Sequence, residues 1–163
     1  MIGQKKRPGE KVGPGINFPE IHIAPSSINV IVGTVIGGGT VADIQEWQDG
    51  NILQIQEEAA TPGQNIEVTF ENVRSFRRIG IAMAYMGSAT HWVELAIWDT
   101  VSETWKVIHT FPNALGQNYR YTDIPPNSHD FIDASGNVKI RFYHPVAGNA
   151  AHNSYMDYVG LII

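Results

Sequence analysis

The sequence predicts an all-β fold, an antiparallel two-sheet β-sandwich or jelly roll carried behind an extended N-terminal arm. Three observations predict it. Apolar residues recur with period two in short runs rich in Val, Ile, Thr and aromatics, and clusters of Gly, Asn, Asp and Pro separate those runs. No long amphipathic window is available for the helical crossovers of a parallel α/β fold. At 163 residues with no cysteine, the chain is one domain's worth and buries a core without disulfide staples. Thiolate chemistry is excluded.

The arm covers residues 1–27, which contain Pro8, Pro14, Pro19 and Pro25 with Gly3, Gly9, Gly13 and Gly15, a composition that favours extended backbone over helix. Lys5, Lys6, Arg7 and Lys11 against Glu10 give its first eleven residues a charge of +3, which leaves −8 on the rest of a chain whose net charge is −5. An acidic body is a poor ligand for polyanions, so specific nucleic-acid binding is not expected. Lys5, Lys6 and Arg7 at the tip, with Ile16, Phe18, Ile21 and Ile23 nearer the body, read as a two-part anchor for a partner surface. No apolar run approaches the ~18 residues of a membrane span. Nor does the N-terminus carry the apolar core of a secretion signal, so synthesis in a cytoplasm is expected and a membrane partner is not.

The body, residues 28–163, contains ten candidate strands: Ile28–Ile36, Val41–Trp47, Ile52–Gln56, Ile66–Phe70, Arg77–Tyr85, Trp92–Trp98, Trp105–Thr110, Tyr119–Thr122, Val138–Tyr143 and Ser154–Ile162. In the fifth, Ile79, Ile81, Met83 and Tyr85 face one way and the small Gly80, Ala82 and Ala84 the other, which suits a strand covered on both faces. Val93, Leu95 and Ile97 alternate with Trp92, Glu94, Ala96 and Trp98, and Val138, Ile140 and Phe142 alternate with Lys139, Arg141 and Tyr143. Each of these two strands has one core face and one wetter face. The expected core is therefore Ile79, Ile81, Val93, Leu95, Ile97, Val138, Ile140 and Phe142. One window, Ile52–Ala60 before Pro62, also reads as helix-like.

No catalytic device has the required spacing. Gly37-Gly38-Gly39 lacks the lysine and helix start of a phosphate loop and reads as a glycine hinge, and no Gly-x-Ser-x-Gly elbow occurs. Glu46, Glu57, Glu67, Glu94 and Asp157 could form a glycosidase-type carboxylate pair only through the fold. Asp123, Asp130 and Asp133 around the Pro125–Gly136 loop have oxygen donors suited to Ca²⁺ but lack the EF-hand pattern, and read as turn residues. No cofactor and no metal is assigned.

Two features remain. Gly87-Ser88-Ala89-Thr90-His91 and Gly148-Asn149-Ala150-Ala151-His152 share a Gly-polar-Ala-small-His pattern, each after a strand that ends near an aromatic. The pattern admits two readings: convergent turn chemistry, or a ligand rim in which His91, His144 and His152 meet beside Trp92 and Tyr143. The stretch Trp98–Trp105 reads as a hairpin that brings two indoles together across the strands, either as packing or as an aromatic platform extended by Trp92, Tyr143, Tyr155 and Tyr158.

The segments Gly136–His144, Gly148–His152 and Tyr155–Val159, with Trp92–Trp105 and the opening Gly33-Thr34-Val35 and Asp43-Ile44-Gln45, resemble galactose-binding-like jelly-roll modules found in bacteriophage virion proteins. The resemblance spans about residues 28–163. It implies a non-enzymatic virion structural protein, a capsid decoration protein or a tail or fibre component, made in the host cytoplasm and held by its arm to major capsid or tail proteins as a homo-oligomer. The alternative is a carbohydrate-binding module that takes a glycan on its rim of aromatics and histidines. No sugar-contact motif transfers residue by residue.

Overall fold

The computed structural model describes residues 22–113, 118–123 and 128–163, the middle segment as backbone. Its elements run β1 (His22–Ile23), β2 (Ser27–Val32), β3 (Thr34–Ile36), a 3₁₀ turn η1 (Val41–Ile44), β4 (Leu53–Gln56), β5 (Gln64–Phe70), β6 (Arg78–Met86), β7 (Trp92–Asp99), β8 (Thr104–Pro112), β9 (Asn118–Asp123), a 3₁₀ turn η2 (Ser128–Phe131), β10 (Val138–His144) and β11 (Asn153–Ile162). Two antiparallel sheets face each other, as the alternation predicts. The first has the order β3-β4-β11-β6-β9, with β1 on the far end of β11; the second has the order β2-β5-β10-β7-β8.

The core lies between them. Ile79, Ile81, Val93, Leu95, Ile97, Val138, Ile140 and Phe142, the set expected from alternation, are all 0% exposed. Ala82 and Ala84 on the other face of β6 are also buried, so the small residues there do mark a strand covered on both sides. Phe142 pairs with Ile66 of β5 and Leu95 of β7, which places it in the middle strand of the second sheet.

Three local readings are corrected. Ile28–Ile36 is two strands in different sheets, because Gly33 between them adopts φ +124° and a Cβ there would sit 2.9 Å from Ile55 Cγ2. Glycine alone takes that bend readily and lets the chain cross the sandwich. Val41–Trp47 opens as η1 instead of a strand: Thr40 and Asp43 form a reciprocal capping box, with the Asp43 carboxylate accepting the Thr40 N–H at 2.6 Å. Ile52–Ala60 contains strand β4, whose Leu53 and Ile55 are buried while Gln54 and Gln56 are half-buried, period two rather than helical. The glycines ahead of η1 form a turn, Gly37 and Gly38 both at φ +75°.

Lys5, Lys6, Arg7, Ile16, Phe18 and Ile21 lie outside the described residues. Ile23, read as part of the partner-binding arm, is in β1, paired with Leu161 and packed against its own core. Asp133 acts as a turn residue: its Oδ1 accepts the backbone N–H groups of Ser135 and Asn137, each at 2.8 Å.

The β7–β8 hairpin forms as expected, with Trp98 opposite Trp105 and ring centroids 5.3 Å apart. Asp99 fixes the turn by accepting the N–H groups of Val101 and Ser102 at 2.8 Å each and by pairing with Lys106. The Lys106 ammonium, and then the backbone N–H of Ser102, hold its carboxyl at a pKa of about 2. A depressed carboxyl contributes stability that is full above its unfolded value of about 3.9 and is lost as pH falls through the folded one. An NMR titration of the Asp99 carboxyl carbon is expected to show a midpoint near 2; a midpoint at the unfolded value contradicts the turn geometry.

Candidate functional site

Two groups of side chains stand out, one on the outer face of the second sheet and one between the sheets at an end of the sandwich.

The outer face is written by alternation. Where Val93, Leu95 and Ile97 point inward, Trp92, Glu94, Ala96 and Trp98 point out; where Val138, Ile140 and Phe142 point inward, Lys139, Arg141 and Tyr143 point out. Asn65 and Glu67 of β5 stand opposite Tyr143 and Arg141, and Trp105 and Val107 of β8 complete the face. Arg141 lies opposite Ala96, a side chain short enough to let the guanidinium reach over β7. Its Cζ sits 4.8 Å from the Trp105 ring centroid and 4.2 Å from that of Tyr143. Such stacking holds a planar cation and two rings in one rigid group. Burial pulls the Arg141 pKa down from its usual value against the opposing influence of Tyr143, Glu94 and Glu67, and the group stays a cation.

Among the described residues, two buried polar atoms on this face lack a hydrogen-bond partner: Arg141 Nε, a donor, and Asn65 Oδ1, an acceptor. Unpaired buried polar atoms are rare in folded proteins and are candidates for ligand contact. Trp92 Nε1 donates to Glu94 Oε1 at 3.3 Å, which fixes a further indole beside a carboxylate. The face therefore combines flat apolar rings with donors and acceptors at their edges.

The second group is centred on Glu57, the residue after β4. Its carboxylate is buried and accepts three hydrogen bonds: from Tyr85 Oη at 2.9 Å, from the Asn149 N–H at 3.1 Å and from His152 Nδ1 at 3.0 Å. A carboxylate only accepts, so His152 carries its proton on Nδ1, and in the neutral ring Nε2 accepts from Ser88 Oγ at 3.2 Å. Burial, and then Glu57, push the Tyr85 hydroxyl far above its usual pKa, which keeps it a donor.

His144 Nδ1 comes within 2.6 Å of Glu57 Oε1 without meeting hydrogen-bond geometry, and among the described residues neither of its ring nitrogens has a hydrogen-bond partner. His91 lies against it, ring centroids 4.8 Å apart, and its buried Nδ1 also lacks a partner. Burial lowers the His144 pKa against the pull of Glu57, and the neighbouring His91 and His152 lower it further.

Two close-packed loops seal this group. A Cβ on Gly148 would lie 2.3 Å from the Glu58 carbonyl oxygen and 2.5 Å from Gly63 Cα, and one on Gly63 would lie 2.6 Å from His144 Nδ1. Only glycine at both positions lets the loops close over Glu57.

The expected rim thus divides in two. His91, His144 and His152 do meet, but His144 is 0% and His152 7% exposed and these two lie inside the end of the sandwich, with His91 half-buried beside them. Tyr143 and Trp92 belong to the sheet face, since successive residues of a strand point to opposite sides. Tyr155 and Tyr158 sit on β11 of the first sheet and do not extend the Trp98–Trp105 platform. Glu57 entered the sequence reading only as one of five carboxylates that the fold could pair, and Tyr85 and Ser88 of the interior group, with Asn65 and Arg141 of the face, were not singled out as site residues. The alternation Lys139-x-Arg141-x-Tyr143 beside Trp92-x-Glu94 was the available signal for the face.

No protein-family model matches the chain, and no curated protein matches it. Solved structures do. A family 29 carbohydrate-binding module covers 84% of this chain and 79% of its own, with 14% identity and a TM-score of 0.51. A variant of the same kind of module complexed with mannohexaose covers 86% and 88% at 11% identity and 0.51, and another variant 84% and 82% at 12% identity and 0.52. The likeness is one of fold. It confirms the β-sandwich, and nothing in these three bears on the capsid, tail or homo-oligomer partners that the virion resemblance implies.

Proposed function

We propose that this chain is a non-catalytic carbohydrate-binding module that takes a neutral hexose oligosaccharide on the outer face of its second sheet. The observation that carries the reading is the contiguous row of Trp98, set edge-on to Trp105, and Arg141 over Trp105 and Tyr143, with Arg141 Nε and Asn65 Oδ1 unpaired among the described residues at its edge. A hexose ring presents an apolar C–H face and a rim of hydroxyls that both donate and accept. Flat aromatic rings bury the former, and a guanidinium, an amide oxygen and the Glu67 and Glu94 carboxylates pair with the latter. Preformed stacking lowers the ordering cost of binding. The mannohexaose complex of a module with this fold supports the ligand class and supplies the first probe.

The virion role that the resemblance implies has no such observation behind it among the described residues. Affinity electrophoresis through gels containing mannan, or another neutral hexose polysaccharide, tests the proposal. Retardation of the chain that disappears on Trp105→Ala is the expected result; unretarded migration in every such gel overturns it.

A further inference from the structure

We propose that Glu57, His91 and His144 bind a zinc ion that clips the two sheets together at the end of the sandwich. One donor atom from each of the three lies within 4.8 Å of the others. Zinc bonds of about 2.0–2.2 Å to imidazole nitrogen and carboxylate oxygen need those atoms a little closer than that, within reach of side-chain rotation. The arrangement spans the core: Glu57 follows β4 of the first sheet, while His91 precedes β7 and His144 ends β10 of the second.

Three observations point to an ion. First, among the described residues His91 Nδ1 and both nitrogens of His144 are buried without a hydrogen-bond partner, a costly state that a bound cation relieves at one nitrogen of a ring. Second, His144 Nδ1 approaches Glu57 Oε1 to 2.6 Å without meeting hydrogen-bond geometry, so an imidazole nitrogen and a carboxylate oxygen already stand side by side. Third, the carboxylate is steered by outer partners, Tyr85, the Asn149 N–H and His152, and His152 is steered in turn by Ser88. Ligands of metal sites are oriented in this way. Two imidazoles and one carboxylate suit zinc, whereas Ca²⁺ and Mg²⁺ require oxygen donors. The ion site and the aromatic face occupy different parts of the sandwich, so glycan binding and zinc binding stand or fall separately.

The test uses the full chain, dialysed against EDTA and titrated with ZnCl₂ by calorimetry. Expected are one ion per chain, a melting temperature that climbs with ZnCl₂ and not with CaCl₂, and d–d absorption bands when CoCl₂ replaces zinc. His91→Ala should weaken zinc by more than the roughly 10–100-fold typical of an outer partner, and His152→Ala by about that amount. His129→Ala, an exposed histidine elsewhere, should leave binding unchanged. A wild-type chain that takes up no zinc, or His91→Ala binding like wild type, overturns the site. If His91→Ala does not fold, NMR of the wild-type imidazoles decides: zinc must shift His91 and His144, together with His152 as their outer partner, and spare His22 and His129; an unmoved His91 or His144, or a shifted His22 or His129, overturns the site.

Discussion

Truncating Phe142 to alanine lowers the unfolding free energy by about 3–5 kcal/mol. The ring is 0% exposed, lies in the middle strand of the second sheet between Ile66 and Leu95, and faces the first sheet. Its removal forfeits burial and leaves a cavity that flanking strands, tied by ladder hydrogen bonds, fill poorly. For a domain with about 5–15 kcal/mol of total stability the loss is severe. Urea denaturation shows it as a lower midpoint at unchanged slope. Tyr143→Ala, one residue along and on the opposite face, should cost far less. If the two substitutions cost the same, or Phe142→Ala costs under about 1 kcal/mol, the assignment of strand faces is wrong.

The same alternation carries the second large effect. Trp105→Ala and Tyr143→Ala each remove one ring from the Arg141 stack, and each should weaken oligosaccharide binding by roughly 30–1000-fold, the equivalent of about 2–4 kcal/mol for a central aromatic contact. The double variant should show no measurable binding while keeping its far-UV circular dichroism spectrum, because neither side chain belongs to the core cluster. Calorimetric titration with mannohexaose measures it. Binding retained by the folded double variant would place the ligand elsewhere.

The sandwich was legible in the sequence wherever the signal is local. Val93, Leu95 and Ile97, and Val138, Ile140 and Phe142, carry their face assignment within one strand, and each of them is 0% exposed. The hairpin joining Trp98 to Trp105 was equally local. Errors arose where one residue overrides a run: Gly33 breaks an otherwise continuous strand signal, and the capping pair Thr40 and Asp43 turns a β-like stretch into η1. The Thr-x-x-Asp spacing was there to be read.

The candidate sites were legible only in part, because sheet register decides them. The repeated Gly-polar-Ala-small-His pattern picked out His91 and His152, yet nothing local separates Glu57 from Glu46 or Glu67. It is the pairing of β4 with β11 that sets Glu57 beside His152. Likewise the aromatic content suggested a platform, but only the strand order β5-β10-β7-β8 excludes Tyr155 and Tyr158 and brings Arg141 across Ala96 to Trp105.

The indole N–H signals of the four tryptophans test the central claim most directly, in a ¹⁵N-edited NMR titration with mannohexaose. Trp92, Trp98 and Trp105 lie on the outer face of the second sheet, whereas Trp47 lies in the turn after η1, which packs on β11 of the first. The signals of Trp98 and Trp105, and that of Trp92 at the end of the same face, should move progressively with ligand while that of Trp47 stays in place. Four unmoved signals at saturating oligosaccharide, or a shift confined to Trp47, would contradict binding on this face.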